Sequence, residues 1–328
     1  MGFWDGKRVI VTGGGGFLGG AVCRVLEERG VPASSVFVAR SAVYDLRERA
    51  ACEKLYRESF GGDPADVVIH VAGTVGGIGA TMARPGEFFH DNAAMGLHLI
   101  EAFRGAGLIE RGARFVMVGT AAAYPVGAPV PLREESLWHG LPSEAGASYG
   151  VAKLMAMEML GAYRRQYGMR SGYLVPINLY GPGDHFEEER SHVAAALIRR
   201  FIEAADRGDR EVVCWGTGSA TRDFLYVDDA AEGIVRAAEV MEEPKAINLG
   251  TGRETPIREL AETIGAAAGF RGEIRWDTTK PDGAPRRFLD ISRADELLGW
   301  RPAVSLEEGV GRAVAWYREW AGECGRLE

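Results

Sequence analysis

Tyr149 and Lys153 are the residues of this sequence whose types and spacing best fit acid–base chemistry. They stand four positions apart in SYGVAK (148–153), so a helix would present both on one face. A lysine ammonium beside a phenol favours the phenolate and lowers its pKa from about 10. Thr120, which follows a predicted strand, could hydrogen-bond to the same substrate oxygen. The group predicts proton exchange with an alcohol–ketone pair, whereas a Tyr–Lys pair alone would also fit an ordinary helix surface.

A glycine-rich stretch, KRVIVTGGGGFLGG (7–20), predicts a dinucleotide-binding loop. Val9–Val11 is typical of a buried strand, and helical spacing begins at Phe17. A chain that passes from strand to glycines to helix leaves free N–H groups at a helix N-terminus, where a phosphate binds. Three glycines would provide the tight turn, the close approach of the pyrophosphate and the helix–strand packing: Gly13, Gly16 and Gly19. The alternative is a glycine turn without a ligand.

The residues at the end of the second predicted strand indicate which of the two nicotinamide cofactors the protein binds. Val36–Ala39 leads into Arg40 and Ser41, at the position where an acidic residue would accept from the ribose 2′-hydroxyl of NAD. Arg40 instead offers a guanidinium fork to a 2′-phosphate, with Ser41 as a second donor. We therefore expect NADP(H). The alternative is a surface arginine at a strand end.

The composition is that of an acidic protein with a large core. The chain has 328 residues, of which 46% are hydrophobic and 26% charged, and its net charge is −8. The negative charge disfavours nonspecific binding to nucleic acids and anionic membranes. The N-terminus runs straight into the first strand and no apolar run reaches about 18 residues, so we expect neither a signal peptide nor a membrane span. The 4 scattered cysteines and 6 dispersed histidines predict a reduced, cytoplasmic protein without a metal site.

Strand and helix patterns alternate through the first half of the chain. Asp66–Gly73 and Arg114–Val118 are typical of buried strands, and Ala72 stands near the end of the first. The predicted helices of this half are Tyr44–Phe60, Phe88–Gly105 and Ser148–Tyr167. The alternation favours an α/β fold with a Rossmann-type, doubly wound parallel sheet and right-handed crossovers.

From Tyr173 onward the pattern changes to shorter elements and loops. The predicted elements are a strand from Tyr173, helices Val193–Ala205 and Ala230–Glu239, a strand Glu211–Trp215 and a strand with its turn, Ala246–Gly252. We assign residues 1–172, with segments near 224–245, to an NADP-binding domain, and 173–223 with 246–328 to a smaller C-terminal α/β lobe for the substrate. Three arginines could close over the phosphates of a second nucleotide or be solvated surface charge: Arg200, Arg222 and Arg287.

Taken together, these motifs resemble the extended short-chain dehydrogenase/reductase family over nearly the whole chain. TGGGGFLG, the Thr120 position, YGVAK and FLYVDD fit the family pattern. More selective stretches are similar to its GDP-L-fucose synthase branch: VGGIGAT, NLYGPGDHF, SHVAAALIRRF, VVCWGTGSATRDFLYVDD, INLGTG and KPDGAPRRFLD. The resemblance implies an NADPH-dependent enzyme that epimerises GDP-4-keto-6-deoxy-mannose at C3 and C5 and then reduces C4.

The resemblance also implies roles for individual residues. Tyr149, Lys153 and Thr120 would carry the reduction, and His192 matches the epimerisation histidine. The positions that face the GDP-sugar correspond to Asn178, Arg200, Trp215, Arg222 and Arg287. The cofactor positions correspond to Gly13, Gly16, Phe17, Leu18, Gly19, Arg40, Ala72 and Lys153.

The same resemblance implies a homodimer. In relatives, the helices that correspond to residues 88–105 and 148–167 pair across a twofold axis. Apolar side chains such as Met155, Met159 and Leu160 would then supply part of the shared surface. Packing of these side chains within their own domain is the alternative.

One position departs from the branch pattern. After the Thr120 strand the branch has Ser-Ser-Cys, an aliphatic residue and Tyr-Pro, and its cysteine is the second acid/base of epimerisation. Here the sequence reads TAAAYP, and Ala122 takes the cysteine position without any titratable proton. We therefore expect a C4 ketoreductase for a GDP-linked 4-keto-6-deoxy sugar, with epimerisation lost or reduced.

Three other functions stay open at this point. They are a full GDP-L-fucose synthase in which His192 works with water or another group, a cofactor-recycling NAD(P)-dependent nucleotide-sugar epimerase or dehydratase, and a non-catalytic NADP sensor. Arg40 and the fucose-synthase-like lobe argue against the cofactor-recycling enzyme. A sensor would need neither Tyr149 nor Lys153.

Overall fold

Strands and helices alternate through the first half of the chain, as the sequence patterns predict. The structure is a computed structural model and describes residues 2–187 and 191–324. Its strands are β1 (Val9–Thr12), β2 (Val36–Ala39), β3 (Val67–His70), β4 (Arg114–Val118), β5 (Arg170–Pro176), β6 (Leu179–Tyr180), β7 (Glu211–Trp215), β8 (Thr221–Arg222), β9 (Leu225–Tyr226), β10 (Ala246–Leu249), β11 (Thr255–Pro256), β12 (Glu273–Asp277) and β13 (Arg286–Arg287). Its α-helices are α1 (Phe17–Glu28), α2 (Arg49–Glu58), α3 (Ile78–Ala83), α4 (Pro85–Gly105), α5 (Glu144–Tyr167), α6 (Val193–Arg207), α7 (Val227–Val240), α8 (Ile257–Ala268), α9 (Ser292–Leu298) and α10 (Leu306–Cys324).

A six-stranded parallel sheet forms the centre of the molecule, in the order β10–β5–β4–β3–β1–β2. The chain moves outward from β1 to β2 and then crosses to β3 on the other side of β1. The connections that leave β1 and β3 therefore diverge at a topological switch point. In sheets of this kind, ligands bind in the crevice at the carboxyl ends of the strands.

Helices cover both faces of this sheet, which confirms the predicted doubly wound fold. One face packs side chains such as Ile10 and Phe115 against α2, α4 and α5. The other face, which includes Val9 and Val116, packs against α1, α7 and α9. Because both faces are covered, β1 and β3 are buried at every position and read as continuous runs without polar alternation.

A smaller lobe forms from the second half of the chain around its own apolar core. Helices α6, α8 and α10 contribute Phe201, Leu260 and Val310 to this core. Three short sheets complete the lobe and its junction: β7 with β12, β8 between β11 and β13, and β6 with β9. Four of the residues predicted to face the GDP-sugar, Arg200, Trp215, Arg222 and Arg287, lie on these elements, and Asn178 directly precedes β6.

The central sheet extends beyond the predicted boundaries of the first domain. The expected boundary at residue 172 falls inside β5, which runs from Arg170 to Pro176. Strand β10, which the sequence pattern places in the smaller lobe, pairs with β5 in parallel. Its residues Ile247 and Leu249 are fully buried there. An apolar run predicts a buried strand, but its periodicity does not tell which sheet the strand joins.

Several helices begin at a different residue from the one predicted. α2 begins at Arg49, because the segment around Tyr44 forms turns and the tyrosine ring packs into the core. α4 begins at Pro85, whose fixed φ suits a first helical turn. α5 begins at Glu144, ahead of the predicted Ser148. Within residues 2–187 and 191–324, no helix has an apolar stretch long enough to cross a membrane.

Close packing between glycines shapes the turn that joins β1 to α1. A Cβ atom on Gly19 would lie 2.0 Å from the carbonyl oxygen of Gly13. A Cβ atom on Gly20, the next residue of α1, would meet nothing closer than 3.9 Å. Position 19 therefore requires glycine in this turn, whereas position 20 has room for a methyl group.

Gly19→Ala should destabilise the protein by about 1–3 kcal/mol, the usual cost of forcing a methyl group into a packed site. The matched control Gly20→Ala should be neutral or stabilise by up to about 1 kcal/mol, because alanine is the better helix former. Urea unfolding of both variants measures the difference. Equal free energies of unfolding for the two variants would contradict the packing argument.

Candidate active site

The turn between β1 and α1 has the shape of a phosphate cradle. Gly13 has a φ of +73°, in the left-handed region that favours glycine. A Cβ atom on it would lie 2.8 Å from the backbone nitrogen of Ala72. Gly16 precedes Phe17, the first residue of α1, and no side chain caps the helix at this end. Its free N–H groups fit the pyrophosphate of a dinucleotide. Leu18 and Phe17 pack against the apolar core from the first turn.

Arg40 lies beside the same turn. It follows β2 directly, and its side chain is exposed. A Cβ atom on Gly15 would lie 2.6 Å from its Nη1 atom, so the guanidinium group covers the glycine turn. In a dinucleotide-binding fold, an arginine at the end of the second strand is placed to bind a ribose 2′-phosphate.

Lys153 connects the catalytic helix to the cofactor side of the sheet. It lies on α5, its side chain is only 1% exposed, and its Nζ donates a hydrogen bond to the carbonyl oxygen of Ala72 at 3.3 Å. The same Nζ lies 5.8 Å from the centre of the Tyr149 ring. The structure therefore brings the predicted Tyr–Lys pair to the end of β3, next to the glycine turn.

The ionisation of this pair differs from the prediction. Burial raises the pKa of Tyr149 to about 12. Burial also lowers the pKa of Lys153 to about 8. The expected lowering of the tyrosine pKa by the ammonium group is therefore wrong in this structure, because loss of water penalises both charged forms. Tyr149 is a neutral phenol at pH 7, which is the form that donates a proton.

A short 3₁₀ turn, Ala121–Ala123, carries Ala122, the residue for which the sequence analysis expects a departure from the fucose synthase pattern. Thr120 caps this turn, since its Oγ1 accepts the N–H of Ala122 at 3.1 Å and its own O–H stays available as a donor. Helix α5 packs directly onto the turn, and a Cβ atom on Gly150 would lie 2.8 Å from Cα of Ala123. The hydroxyl group of Thr120 and the methyl group of Ala122 therefore belong to a turn that packs against the helix of Tyr149.

A cavity of about 310 Å³ opens in the smaller lobe. Residues predicted for catalysis or substrate binding line part of it: Asn178, His192, Trp215 and Arg222. Much of the remaining wall is small or apolar. Ligand sites commonly have an apolar wall with a few polar groups that fix orientation.

Three of these residues offer distinct chemistry to the cavity. Trp215 ends β7 with a largely exposed ring, and the Lys280 ammonium lies 5.7 Å from the ring centre. Arg222 donates through Nη1 to the carbonyls of Thr221 and Ala284, at 2.7 Å each, which leaves its other nitrogens available. His192 immediately precedes α6. Loss of water around the ring, with a smaller effect of the nearby His185, lowers the pKa of His192. The imidazole is therefore neutral at pH 7 and can accept a proton.

Two of the predicted arginines do not line this cavity. Arg200 is exposed on α6 and donates through Nη1 to the carbonyl of Val213 at 3.0 Å. Arg287 lies on β13 beside Arg222 of β8, and its Nη2 donates to the carbonyl of Ala121. The structure therefore brings Arg222 and Arg287 together and leaves Arg200 apart. Strand pairing, which sequence spacing does not reveal, makes this difference.

Asp282 is a cavity residue that the sequence analysis did not assign. Its Oδ1 accepts the N–H of Thr217 at 2.7 Å, and its Oδ2 accepts the hydroxyl of the same residue at 2.8 Å. These hydrogen bonds lower the pKa of Asp282. The Asp–Gly pair in KPDG is typical of a turn and was the available signal. Among the described residues, no cluster of His, Cys, Asp or Glu could hold a metal ion.

Comparisons with known proteins agree with this geometry. Residues 9–250 match the NAD dependent epimerase/dehydratase family. Over 314 residues the chain is 38% identical to the probable GDP-L-fucose synthase 1 of Oryza sativa subsp. japonica, which covers 96% of this chain and 93% of that protein. These matches confirm the resemblance that the sequence motifs indicate.

Solved structures with the same fold include two reductases from Campylobacter jejuni. One, a GDP-6-OMe-4-keto-L-xylo-heptose reductase, has a TM-score of 0.86 and 25% identity, covering 98% of this chain and 99% of that one. The other, a GDP-mannoheptose C4 reductase with NADP bound, has a TM-score of 0.83 and 26% identity, covering 97% and 99%. Since the family match spans most of the chain and the fold agrees, the chain belongs to the NAD dependent epimerase/dehydratase family, as an oxidoreductase of the extended short-chain dehydrogenase/reductase type.

Proposed function

We propose that the protein uses NADPH to reduce the C4 ketone of a GDP-linked 4-keto-6-deoxy sugar and has lost or reduced epimerisation at C3 and C5. One observation carries this proposal. The Tyr149–Lys153 pair stands next to the glycine turn, while Ala122 has a methyl group at the position where the sequence resemblance implies a cysteine in GDP-L-fucose synthases. The names of the similar proteins, a GDP-L-fucose synthase and two GDP-heptose reductases, support a GDP-sugar as the substrate.

NADP(H) is the cofactor in this proposal. Gly13 and Gly19 allow a tight turn, because a Cβ atom at either position would lie within 3 Å of backbone atoms. This turn leads into the uncapped start of α1, whose free N–H groups fit a pyrophosphate. Arg40 would hold the 2′-phosphate, and Ala72 and Lys153 would contact the nicotinamide end. When bound, NADPH supplies the hydride. The NADP in the Campylobacter C4 reductase, which is 26% identical, supports this choice of cofactor.

The chain's own contribution to reduction is a proton and a polarised environment. Tyr149, a neutral phenol, gives its proton to O4 as the ketone becomes an alcohol. The Thr120 hydroxyl, which is not used as a donor within its turn, hydrogen-bonds to the same oxygen and stabilises the developing negative charge. The Lys153 ammonium, 5.8 Å from the centre of the Tyr149 ring, would offset part of the cost that burial imposes on the phenolate left after this transfer.

The nucleotide of the substrate fits the cavity of the smaller lobe. Arg222 and Arg287 occupy paired positions on β8 and β13, and two neighbouring guanidinium groups suit a diphosphate. The exposed ring of Trp215 offers a stacking surface to a base. Asn178 and Asp282 add polar contacts. Because Arg287 also bonds to Ala121, the sugar would extend from the diphosphate toward Tyr149.

Epimerisation beside a ketone needs a base on one face of the sugar and an acid on the other. His192, with its neutral imidazole at the cavity, can serve on one face. On the other face, Ala122 has no proton to give. Exchange mediated by His192 alone would be slow and would not complete an inversion.

A full GDP-L-fucose synthase is the second candidate function. The position of His192 at the cavity and the 38% identity to the rice protein favour it. It would require water or another group to replace the missing thiol. The two candidates differ in what happens at C3 and C5 and share the reduction at C4.

Tyr149→Phe should slow the NADPH-dependent reduction of GDP-4-keto-6-deoxy-mannose about 10²–10⁴-fold, because a positioned proton donor contributes this much. Lys153→Met should be comparably damaging. Tyr167→Phe, exposed at the far end of α5, is the matched control and should keep the wild-type rate. The loss of NADPH absorbance measures the rate of each variant, and NMR identifies the product. Near-normal turnover by Tyr149→Phe would refute its role, and a wild type that reduces no GDP-4-keto sugar would refute the proposed function.

Arg40→Asp should invert or abolish a preference for NADPH over NADH, because the new carboxylate repels a 2′-phosphate and accepts from a 2′-hydroxyl. Arg57→Asp reverses an exposed charge on α2 and should leave the preference unchanged. The measurement is kcat/KM with each cofactor. Equal values for the two cofactors in the wild type would contradict the assignment of Arg40.

A homodimer formed through α4 and α5 is part of the proposal. Phe89 and Leu97 of α4 are exposed apolar side chains, and Met155 and Met159 of α5 are partly exposed. Leu160 was expected on the same surface, but it is fully buried in the core of its own chain. Sedimentation velocity should show a dimer, and a monomer at every concentration would contradict it.

A further inference from the structure

Asp223 is a buried carboxylate between two residues that line the cavity. Its exposed fraction is 0%, whereas Arg222 and Phe224 on either side of it face the cavity. Its side chain points into the protein, where both oxygens have backbone partners. Asp223 therefore has no direct contact to offer a ligand in the cavity.

The Asp223 carboxylate joins the smaller lobe to the central sheet. Its Oδ1 accepts the N–H of Thr251 at 2.8 Å and the hydroxyl of that residue at 2.6 Å. Its Oδ2 accepts the N–H of Gly252 at 3.2 Å and of Leu289 at 3.4 Å. Thr251 and Gly252 follow β10 of the central sheet, and Leu289 follows β13. One carboxylate thus holds together the turn after β10 and the segment after β13. Arg222 and Arg287 lie on the neighbouring strands β8 and β13.

The backbone of Asp223 reaches three residues that we propose to bind the substrate. Its N–H donates to the carbonyl of Arg287 at 3.2 Å, and its carbonyl accepts Nδ2 of Asn178 at 2.8 Å. Arg222 directly precedes it and pairs with Arg287 in the strand register. A displacement of Asp223 would therefore move two guanidinium groups and one amide together.

The two arginines need such a support because they repel each other. Arg222 contributes to lowering the pKa of Arg287, although burial is the larger cause. Their side chains donate hydrogen bonds to backbone carbonyls, those of Thr221 and Ala284 for Arg222 and that of Ala121 for Arg287. A pair of cations held together by backbone contacts is suited to an anion with two charges, such as a diphosphate.

We propose that Asp223 is a positioning residue that sets the spacing of Arg222 and Arg287 for the diphosphate of the substrate. It thereby controls affinity for the nucleotide sugar without touching it. This inference rests on the proposed function, in which the cavity binds a GDP-sugar. An asparagine at this position keeps the size of the side chain but turns one oxygen into an NH₂ group, which would face N–H donors in either orientation.

The test compares the binding of GDP and NADPH. Asp223→Asn should weaken GDP binding, measured by calorimetry, about tenfold or more, because the loss of one hydrogen bond to a charged group has an effect of this size. Its Kd for NADPH, measured by fluorescence, should stay at the wild-type value. The matched control is Asp229→Asn, another buried carboxylate, 8% exposed, whose Oδ2 accepts the N–H of Val304 at 3.0 Å. It should lower thermal stability but leave both Kd values unchanged.

Thr251→Val keeps the test decisive if Asp223→Asn does not fold. It removes the hydroxyl donor to Oδ1, together with the acceptor of the exposed N–H of Arg253, and keeps the backbone N–H of residue 251. It should weaken GDP binding severalfold, with the Kd for NADPH unchanged. Unchanged GDP binding in Thr251→Val or Asp223→Asn would overturn the role of Asp223. The role of Asp223 would also be overturned if Asp223→Asn weakened GDP and NADPH binding equally. It would be overturned as well if Asp229→Asn lost as much GDP binding as Asp223→Asn. A wild type that does not bind GDP would overturn the proposed function instead.

Discussion

A buried ammonium group connects the parts of the active site. Lys153 reaches from α5 to the carbonyl of Ala72 at the end of β3, and Thr12 accepts the N–H of Ala72 at 3.3 Å while bonding to His70 at 2.7 Å. Moving an ammonium group out of water is costly unless hydrogen bonds offset the loss. The lowered pKa of Lys153, about 8, reflects that cost. One charged side chain therefore joins α5 to the segment after β3, which in turn packs against Gly13 of the glycine turn.

The smaller lobe meets this centre through polar contacts and through Leu225 of β9 and Leu289 after β13, which pack into the cores of the central sheet. Its apolar core is separate from the two that cover the central sheet. Arg287 donates to the carbonyl of Ala121 in the catalytic turn, and Asp223 accepts from the turn that follows β10. In the proposed function, the substrate contacts lie in the lobe and the residues of reduction on the central sheet and α5, in keeping with a fold that supports many chemistries.

The features that the sequence predicted correctly depend on residues close together along the chain. The glycine turn, the strand Val36–Ala39 and the Tyr149–Lys153 pair depend on neighbours within a few positions, and the structure has them as predicted. The sheet partner of β10 and the role of Asp223 depend on segments that meet only after folding. The pKa of Tyr149 likewise depends on burial by distant segments, which spacing along the chain does not show.

The central claim is that reduction at C4 proceeds without inversion at C3 and C5. An acid/base pair that inverts these carbons exchanges their protons with solvent, so the step leaves a label. The decisive measurement is the reaction of the wild-type enzyme with GDP-4-keto-6-deoxy-mannose and unlabelled NADPH in D₂O, with the product analysed by NMR and mass spectrometry. We predict protium at C3 and C5, retained configuration at both carbons, and hydride delivered to C4. Deuterium at both C3 and C5 with inverted configuration would contradict this and establish a GDP-L-fucose synthase.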